Sequence, residues 1–198
     1  MYNHNFVHLL SSYTDEDSRW MKVAINYGLR NVGFTGKNPC VGCVIVKNNE
    51  LCGFGVTSPG GRPHAEENAL KFAGEKSKDA VLYVTLEPCA HYERFIPCME
   101  KIVQASIKRV VIACLDPDER TNGKAVKYLL EKNIDVSYTS CFYRDIKKWH
   151  DIGLNYAEYR PIILMTCGYG KDYKKDIIDI PLIKEDKKPE MEEIVKWI

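Results

Sequence analysis

Apolar residues between positions 15 and 30 recur with the spacing of an α-helix. They form one stripe, made of Trp20, Val23, Ala24 and Tyr27. Thr14 or Asp15 can cap the start of this segment, and acidic residues fill its first turn. The pattern therefore predicts a helix over residues 15–30 that packs one face against a core.

Beyond residue 40, short apolar runs alternate with helical patterns. The stretch VGCVIVKNNELCGFGV (41–56) is rich in β-forming residues on both sides of an Asn-Asn pair, which predicts a hairpin. Further strands are predicted at 80–88, 109–118, 134–139 and 160–167. Helices are predicted at 63–74, 97–107, 123–133 and 142–157.

This alternation of strands and helices after an opening hairpin is typical of an α/β domain. The sheet is expected to be mixed and mainly parallel, because an antiparallel hairpin is followed by strands that helices separate. The runs VLYV and VVIA are apolar throughout, as expected of strands that are covered on both faces. Helices are therefore predicted on both sides of the sheet.

Composition adds limits on the class of protein. Of the 198 residues, 45% are hydrophobic and 28% charged, and the formal net charge is only +1, so nucleic-acid binding is not favoured. The N-terminus lacks a signal-peptide pattern, and no apolar stretch is long enough to span a membrane. We expect a cytoplasmic protein with one domain over residues 1–160 and a charged extension over residues 161–198.

Eight cysteines in a chain of this kind are expected to be reduced, with metal ligands possible among them. Two of them, Cys89 and Cys98, each follow a proline, and His64 opens a predicted helix. One nitrogen and two sulfurs would bind a catalytic Zn²⁺ with a fourth position open. Glu66 can then move a proton from the attacking water to a leaving amine. Glu67 is expected to point away from the site and to have no role.

A second pair of cysteines offers an alternative metal site. Cys40 and Cys43 have C-x2-C spacing, but zinc ribbons usually need a second such pair, and the chain has none. Cys43 also falls within a predicted strand. The pair is therefore a weaker candidate than the set of His64, Cys89 and Cys98.

Several motifs resemble the deaminase domain of the riboflavin-biosynthesis deaminase–reductases (the RibD family) over about residues 15–165. These motifs are NPCVGCVIV, GGRPHAEENAL, TLEPCAHYERFIPC, ACLDPDERTNGKA and LNYAEYRP. The resemblance implies a three-layer α/β/α sandwich of the cytidine-deaminase type, with one Zn²⁺ per chain. It also implies hydrolytic removal of an amine, as ammonia, from a pyrimidine ribotide, a phosphoribosylated diaminopyrimidinone.

The resemblance also assigns residues, and the metal ligands and proton carrier match those given above. It places five further residues at the substrate: Asn38, His91, Arg94, Asp116 and Asp118. Read from the residues alone, Asn38 and Asp116 are equally compatible with turns, and His91 with a solvated loop.

The chain departs from the family in two loops. The family pattern H-x-G-R-T-P-P-C is here HYERFIPC, which keeps Arg94 but brings in a negative charge at Glu93. The family NGKG is here NGKA, with Ala125 in place of the last glycine. Both changes bear on how the substrate fits rather than on the metal ligands.

The family's reductase domain would begin near residue 160 and needs on the order of 200 residues. We therefore expect this chain only to deaminate, with a reductase on another chain. The resemblance allows a homo-oligomer. Two alternatives stay open: a deaminase for another base, nucleoside or tRNA adenosine, and a catalytically weakened metal-binding partner module.

Overall fold

The computed structural model describes residues 14–92 and 95–138. Its helices are α1 (Asp15–Gly28), α2 (Ala65–Ala73), α3 (Cys98–Gln104) and α4 (Lys124–Glu131). Its strands are β1 (Gly42–Lys47), β2 (Glu50–Val56), β3 (Val81–Val84), β4 (Arg109–Ile112) and β5 (Asp135–Tyr138). Short 3-10 turns cover Leu29–Asn31, Pro59–Gly61 and Gly74–Ser77.

The five strands form one mixed sheet in the order β2-β1-β3-β4-β5. β1 pairs antiparallel with both β2 and β3, whereas β3 with β4 and β4 with β5 are parallel. The predicted hairpin joined to parallel strands is confirmed. Within the described strands the two kinds of pairing are equal in number.

Helices cover both faces of the sheet, as two glycines show. A Cβ at Gly42 would overlap the carbonyl oxygen of Ala24 in α1, and one at Gly55 would overlap that of Ala65 in α2. Gly55 lies opposite Cys43, the neighbour of Gly42 in β1, so the two glycines face opposite sides. α3 packs beside α2, and α4 beside α3. The described residues therefore form the three-layer α/β/α sandwich that was predicted.

Local chemistry explains where the elements begin and end. Thr14 caps α1 through a reciprocal pair of hydrogen bonds with Asp17. Asn48 and Asn49 both have positive φ, which produces the tight turn of the hairpin. Gly74 ends α2 with φ +52°. Ser106, at φ +53°, follows the end of α3, which is therefore shorter than the predicted 97–107.

The core fills the spaces between the three layers. Its largest fully buried side chains come from α1, the strands, α3 and α4: Met21, Ile45, Leu82, Ile102, Ile112 and Leu129. β3 and β4 are buried along most of their length, as their continuous apolar runs predicted.

Some predictions fall outside the described residues. These are the helix at 142–157, the strand at 160–167 and the C-terminal extension at 161–198. Among the helices that the structure describes, none is both long and apolar enough to cross a membrane.

Candidate active site

His64 stands at the start of α2, where the chain leaves an extended loop. It is the residue that precedes the helix, with φ −70° and ψ 164°. Its backbone N–H donates to Glu67 Oε2 at 3.0 Å, which satisfies one of the free amides of this helix start. The backbone that carries the imidazole is therefore fixed by a local cap.

The two cysteines approach His64 from the chain that follows β3. Cys89 lies in the loop after that strand, and Cys98 is the first residue of α3. The backbone N–H of Cys98 donates to Cys89 Sγ at 3.3 Å, so the loop folds back on the start of the helix. Both thiols are buried.

These three side chains converge into a candidate metal-binding cluster, called the metal-binding cluster below, as the sequence predicts. Their ligand atoms all lie within 4.8 Å of one another. His64 Nδ1 is 3.5 Å from Cys98 Sγ, and zinc bond lengths place two ligands of one tetrahedral ion about 3.6 Å apart. The spacing of these ligand atoms is therefore compatible with a single zinc ion.

The electrostatics of the cluster favour a thiolate at one of its two cysteines. Hydrogen bonds from the side chains of Cys98 and His64 lower the pKa of the Cys89 thiol to about 4, although burial opposes them, so a thiolate is available. The shared hydrogen bond with Cys89, with burial next, raises the pKa of Cys98 well above that of a free thiol. Burial alone would lower the pKa of His64, but Cys89 and the charge of Glu66 raise it.

Glu66 lies in the first turn of α2 and is only 3% exposed. Burial raises the pKa of its carboxyl to about 7, although the charge of His64 opposes this effect. A carboxyl that titrates near neutrality is suited to accept and return a proton. The structure thus brings the predicted proton carrier beside the predicted ligands.

The prediction that Glu67 has no role is wrong. Its carboxylate accepts from the backbone of His64, forms an ion pair with Lys101 of α3, and lies 3.5 Å from Arg62 Nη1. α2 and α3 pack side by side, so a side chain directed away from Glu66 reaches the neighbouring helix rather than solvent. Glu67 links the helix that begins after His64 to the helix that begins at Cys98.

Asn38 lies against the loop that leads to His64. Its Nδ2 donates to the carbonyl of Gly61 at 2.9 Å. Gly61 has φ +94°, and a Cβ there would overlap the Asn38 amide, so only glycine allows this approach. Asn38 is therefore positioned by contacts within the protein, as a turn residue would be.

Asp116 lies near enough to His91 and Cys89 for both charges to act on its carboxyl. His91 Nδ1 is 3.3 Å from Thr121 Oγ1. Burial raises the pKa of Asp116, while the charge of His91 lowers it and that of Cys89 raises it. The loop after β4 thus faces the loop that carries Cys89, as expected at the carboxyl ends of two adjacent parallel strands.

The two remaining predicted substrate contacts differ. Asp118 forms a close ion pair with Arg120, with Nη2 to Oδ2 at 2.6 Å, and these hydrogen bonds lower the pKa of Asp118 to about 2. The structure therefore gives this carboxylate a local partner. Arg94 lies outside the described residues.

Two buried residues that the sequence did not single out connect these loops. Glu87 is 2% exposed and accepts hydrogen bonds from backbone amides of the loop after β4 and of α4. Thr121 is fully buried, and its hydroxyl contacts the Ala90 amide and His91. The one sequence signal for Glu87 was an acidic residue at the end of an otherwise apolar strand.

Among the residues that the structure describes, the alternative pair of cysteines does not form a metal site with other ligands. Cys43 is buried within β1, and the Cys40 thiol donates to the carbonyl of Gly28 at 2.8 Å. In the part of the chain that the structure describes, the His64, Cys89 and Cys98 set is the one group of three potential ligands that converges.

Known proteins share both the motifs and the fold. Residues 14–114 match the family described as the cytidine and deoxycytidylate deaminase zinc-binding region. The riboflavin biosynthesis protein RibD of Aquifex aeolicus is 46% identical over 158 residues, which are 80% of this chain and 44% of that protein. A diaminohydroxyphosphoribosylamino-pyrimidine deaminase of Buchnera aphidicola is 45% identical over 121 residues, which are 61% of this chain and 82% of that protein.

The similarity extends to solved structures. Acinetobacter baumannii RibD, in its form 2, superposes with a TM-score of 0.65 at 43% identity and covers 72% of this chain and 40% of that one. The chain thus spans under half the length of these RibD relatives. By motif, fold and relatives, this chain belongs to the zinc-binding cytidine and deoxycytidylate deaminase family, and within it to the deaminases of the RibD type.

Proposed function

We propose that this chain catalyses the hydrolytic deamination of a phosphoribosylated diaminopyrimidinone in riboflavin biosynthesis. The single observation that carries the proposal is the convergence of His64, Cys89 and Cys98 beside the buried carboxyl of Glu66. The name of the Buchnera relative supports the choice of substrate class.

The metal of this site would be held by His64, Cys89 and Cys98, one ion per chain. A set of one nitrogen and two sulfurs suits zinc rather than the oxygen-preferring Mg²⁺ or Ca²⁺. Three protein ligands leave one position open, as in catalytic zinc sites. When bound, zinc acts as a Lewis acid that makes water reactive at neutral pH.

Glu66 would carry the proton in this reaction. Its carboxylate takes a proton from the attacking water, whose oxygen forms a bond to the ring carbon that bears the amine. The carbon–nitrogen bond then breaks, and the protonated Glu66 returns the proton so that ammonia leaves. The pKa of about 7 lets the same group serve as base and then as acid near neutral pH.

The pyrimidine would lie between the loops that carry Asn38, His91 and Asp116. Asn38 offers an amide whose donor side already binds Gly61, so its oxygen would face the ring. Arg94 and Asp118 stay predicted substrate contacts, and for Asp118 this requires that the ion pair with Arg120 opens or is shared. Four further expectations stay predictions. They are the domain boundary near residue 160, a reductase on another chain, a homo-oligomer and a cytoplasmic location.

The proposal is tested with purified zinc-loaded protein and its Glu66→Gln variant. We expect about one zinc per chain in both proteins, as a single three-ligand site requires. The pyrimidine ribotide should release ammonia with the wild type, and Glu66→Gln should lose activity by about 10²–10⁴-fold. Glu131→Gln, an exposed change in α4, is the matched control and should keep full activity.

The substrate is tested with a panel of related amines. Equal or faster turnover of cytidine, deoxycytidylate or tRNA adenosine would contradict the assignment to riboflavin biosynthesis. Zinc binding without turnover of any of them would favour the metal-binding partner module. Rescue of a riboflavin auxotroph that lacks the deaminase, with the reductase supplied separately, should occur with the wild type and fail with Glu66→Gln.

A further inference from the structure

Glu87 is a buried carboxylate to which the reaction assigns no step. It lies between the end of β3 and the proposed ligand Cys89, and its side chain is turned toward the loop that follows β4. Both of its oxygens accept hydrogen bonds from the backbone. Oε2 binds the amides of Asp116 at 3.3 Å and Gly123 at 3.0 Å. Oε1 binds those of Ala125 at 3.2 Å and Val126 at 3.4 Å.

These four amides belong to two connected segments. One is the loop 115–123, which begins after β4 and contains Asp116; the other is the first turn of α4. A negative charge at a helix start is favourable, because the free amides there carry partial positive charge. Glu87 therefore connects the loop and the helix to a single point on the chain that carries Cys89.

A second contact joins the same loop to His91. Thr121 Oγ1 lies 3.5 Å from the Ala90 amide and 3.3 Å from His91 Nδ1. The backbone amide of Glu87 also donates to the carbonyl of Cys114 at 2.8 Å. The loop 115–123 is thus connected to residues 87–91 at Asp116, at Thr121 and at Gly123.

We propose that Glu87 is a positioning residue whose carboxylate fixes the loop 115–123 so that Asp116 and His91 face the metal-binding cluster. This rests on the proposed function, because it assigns Asp116 and His91 to the substrate. Glu87 itself does not touch the substrate. It acts through the backbone amide of Asp116 and through the loop that holds Thr121.

The chemistry of four donors explains why this position needs a carboxylate. Each oxygen already accepts from two N–H groups, so a neutral amide of the same shape must direct its NH2 at one of the two pairs. That pair then faces a donor and loses its acceptor, which is costly because buried N–H groups are left unpaired. The loop can relieve this conflict only by moving away from residues 87–91.

The test compares Glu87→Gln with Thr121→Val, both zinc-loaded, by steady-state kinetics on the pyrimidine ribotide. We expect Glu87→Gln to bind about one zinc and to raise KM about tenfold or more, with a smaller change in kcat. Thr121→Val should raise KM in the same direction by a smaller factor. If Glu87→Gln does not fold, the KM of Thr121→Val alone tests whether the loop 115–123 positions the substrate contacts.

Asp17→Asn is the matched control, because Asp17 is an equally buried carboxylate on the opposite face of the sheet. It should lower the thermal midpoint and leave KM unchanged. If Glu87→Gln and Thr121→Val lower the midpoint with KM at the wild-type value, Glu87 is structural only and the inference is wrong. A wild-type protein that binds zinc but does not deaminate the ribotide would overturn the proposed function, and the inference with it.

Discussion

Glu66 and Glu67 are adjacent and chemically identical, yet their surroundings give them different tasks. Glu66 faces the metal-binding cluster, and burial raises its pKa to about 7. Burial would also raise the pKa of Glu67, but the hydrogen bond from Lys101 lowers it below its usual value. One carboxyl is therefore suited to carry a proton, and the other stays charged and holds two helices together.

Glu67→Gln should weaken zinc binding although Glu67 is no ligand. A neutral side chain cannot hold the charge of Lys101, so the start of α2 at His64 is less well fixed relative to Cys98. We expect about a tenfold loss of zinc affinity, the scale typical of residues that support ligands. Competition with a chromophoric chelator measures it.

Glu75→Gln serves as the control for this prediction. Glu75 is exposed and lies in the 3-10 turn that follows the C-terminal end of α2, away from His64. Unchanged zinc affinity in Glu67→Gln would mean that the ligand positions do not depend on the contact between α2 and α3.

At the scale of elements, the position of α2 is set by how closely it approaches β2. Gly53 and Gly55 are two residues apart in that strand and so face the same side of the sheet. A Cβ on either would overlap the backbone of α2. The absence of side chains there lets the helix lie directly on the sheet. Because α2 begins after His64 and contains Glu66, this approach also places half of the site.

Gly55→Ala should therefore displace α2 and disturb the site. Overpacking of this kind costs about 1–3 kcal/mol of the free energy of unfolding. We expect lower stability together with reduced zinc affinity, measured by urea unfolding and chelator competition on the same samples.

Gly42→Ala is the paired comparison, because the same methyl group would there press on α1, on the other face of the sheet. It should destabilise the fold to a similar extent while zinc affinity stays near the wild-type value. Equal loss of zinc affinity in both variants would show that the site depends on overall stability and not on the position of α2.

At the scale of the whole molecule, an ion pair between Asp17 and Arg109 joins α1 to the sheet. Asp17 of α1 accepts two hydrogen bonds from Arg109 of β4, at 3.0 and 2.9 Å. Tyr83 of β3 donates to the same carboxylate at 3.0 Å, and Arg109 also binds Ser137 of β5. A single helix is thus connected to three strands on the face opposite α2.

Asp17→Asn should destabilise the protein by about 3 kcal/mol at neutral pH, because it leaves Arg109 without its counter-charge. Burial would raise the pKa of Asp17, but the hydrogen bonds from Arg109 and Thr14 outweigh it and lower the pKa. A lowered folded-state pKa contributes stability that is full above the unfolded-state pKa, about 3.9. That contribution is lost as the pH falls through the lower folded-state value.

The difference in unfolding free energy between wild type and Asp17→Asn should therefore stay constant from pH 7 to about pH 4.5 and shrink below that. Urea titrations of both proteins across this range measure it, and groups that titrate equally in both cancel in the difference. A difference that grows on acidification would contradict the assignment of the charged form to Asp17.

Contacts between near neighbours in the chain and contacts between distant residues differ in how far the sequence predicts them. Thr14 at the start of α1, the Asn48-Asn49 turn and Gly74 after α2 were legible in the sequence, because capping and positive φ depend on neighbours within a few residues. His64, Cys89, Cys98 and Glu66 were found because their spacing forms a motif, although His64 and Cys98 are 34 residues apart. The end of α3 before Ser106 was not predicted, because serine seldom signals a helix end.

The sequence by itself predicted the class of the fold, the candidate metal ligands and the candidate proton carrier, since hydrophobic periodicity and the spacing of motif residues can be read from residue order alone. Only the tertiary structure decided that Glu67 reaches Lys101, that Asp118 pairs with Arg120, and that Glu87 holds the loop 115–123. Glu67 with Lys101 and Glu87 with its loop join residues about thirty positions apart, where the packing of layers sets the distance. Asp118 and Arg120 are close in sequence, but only the conformation of their loop brings the two side chains together.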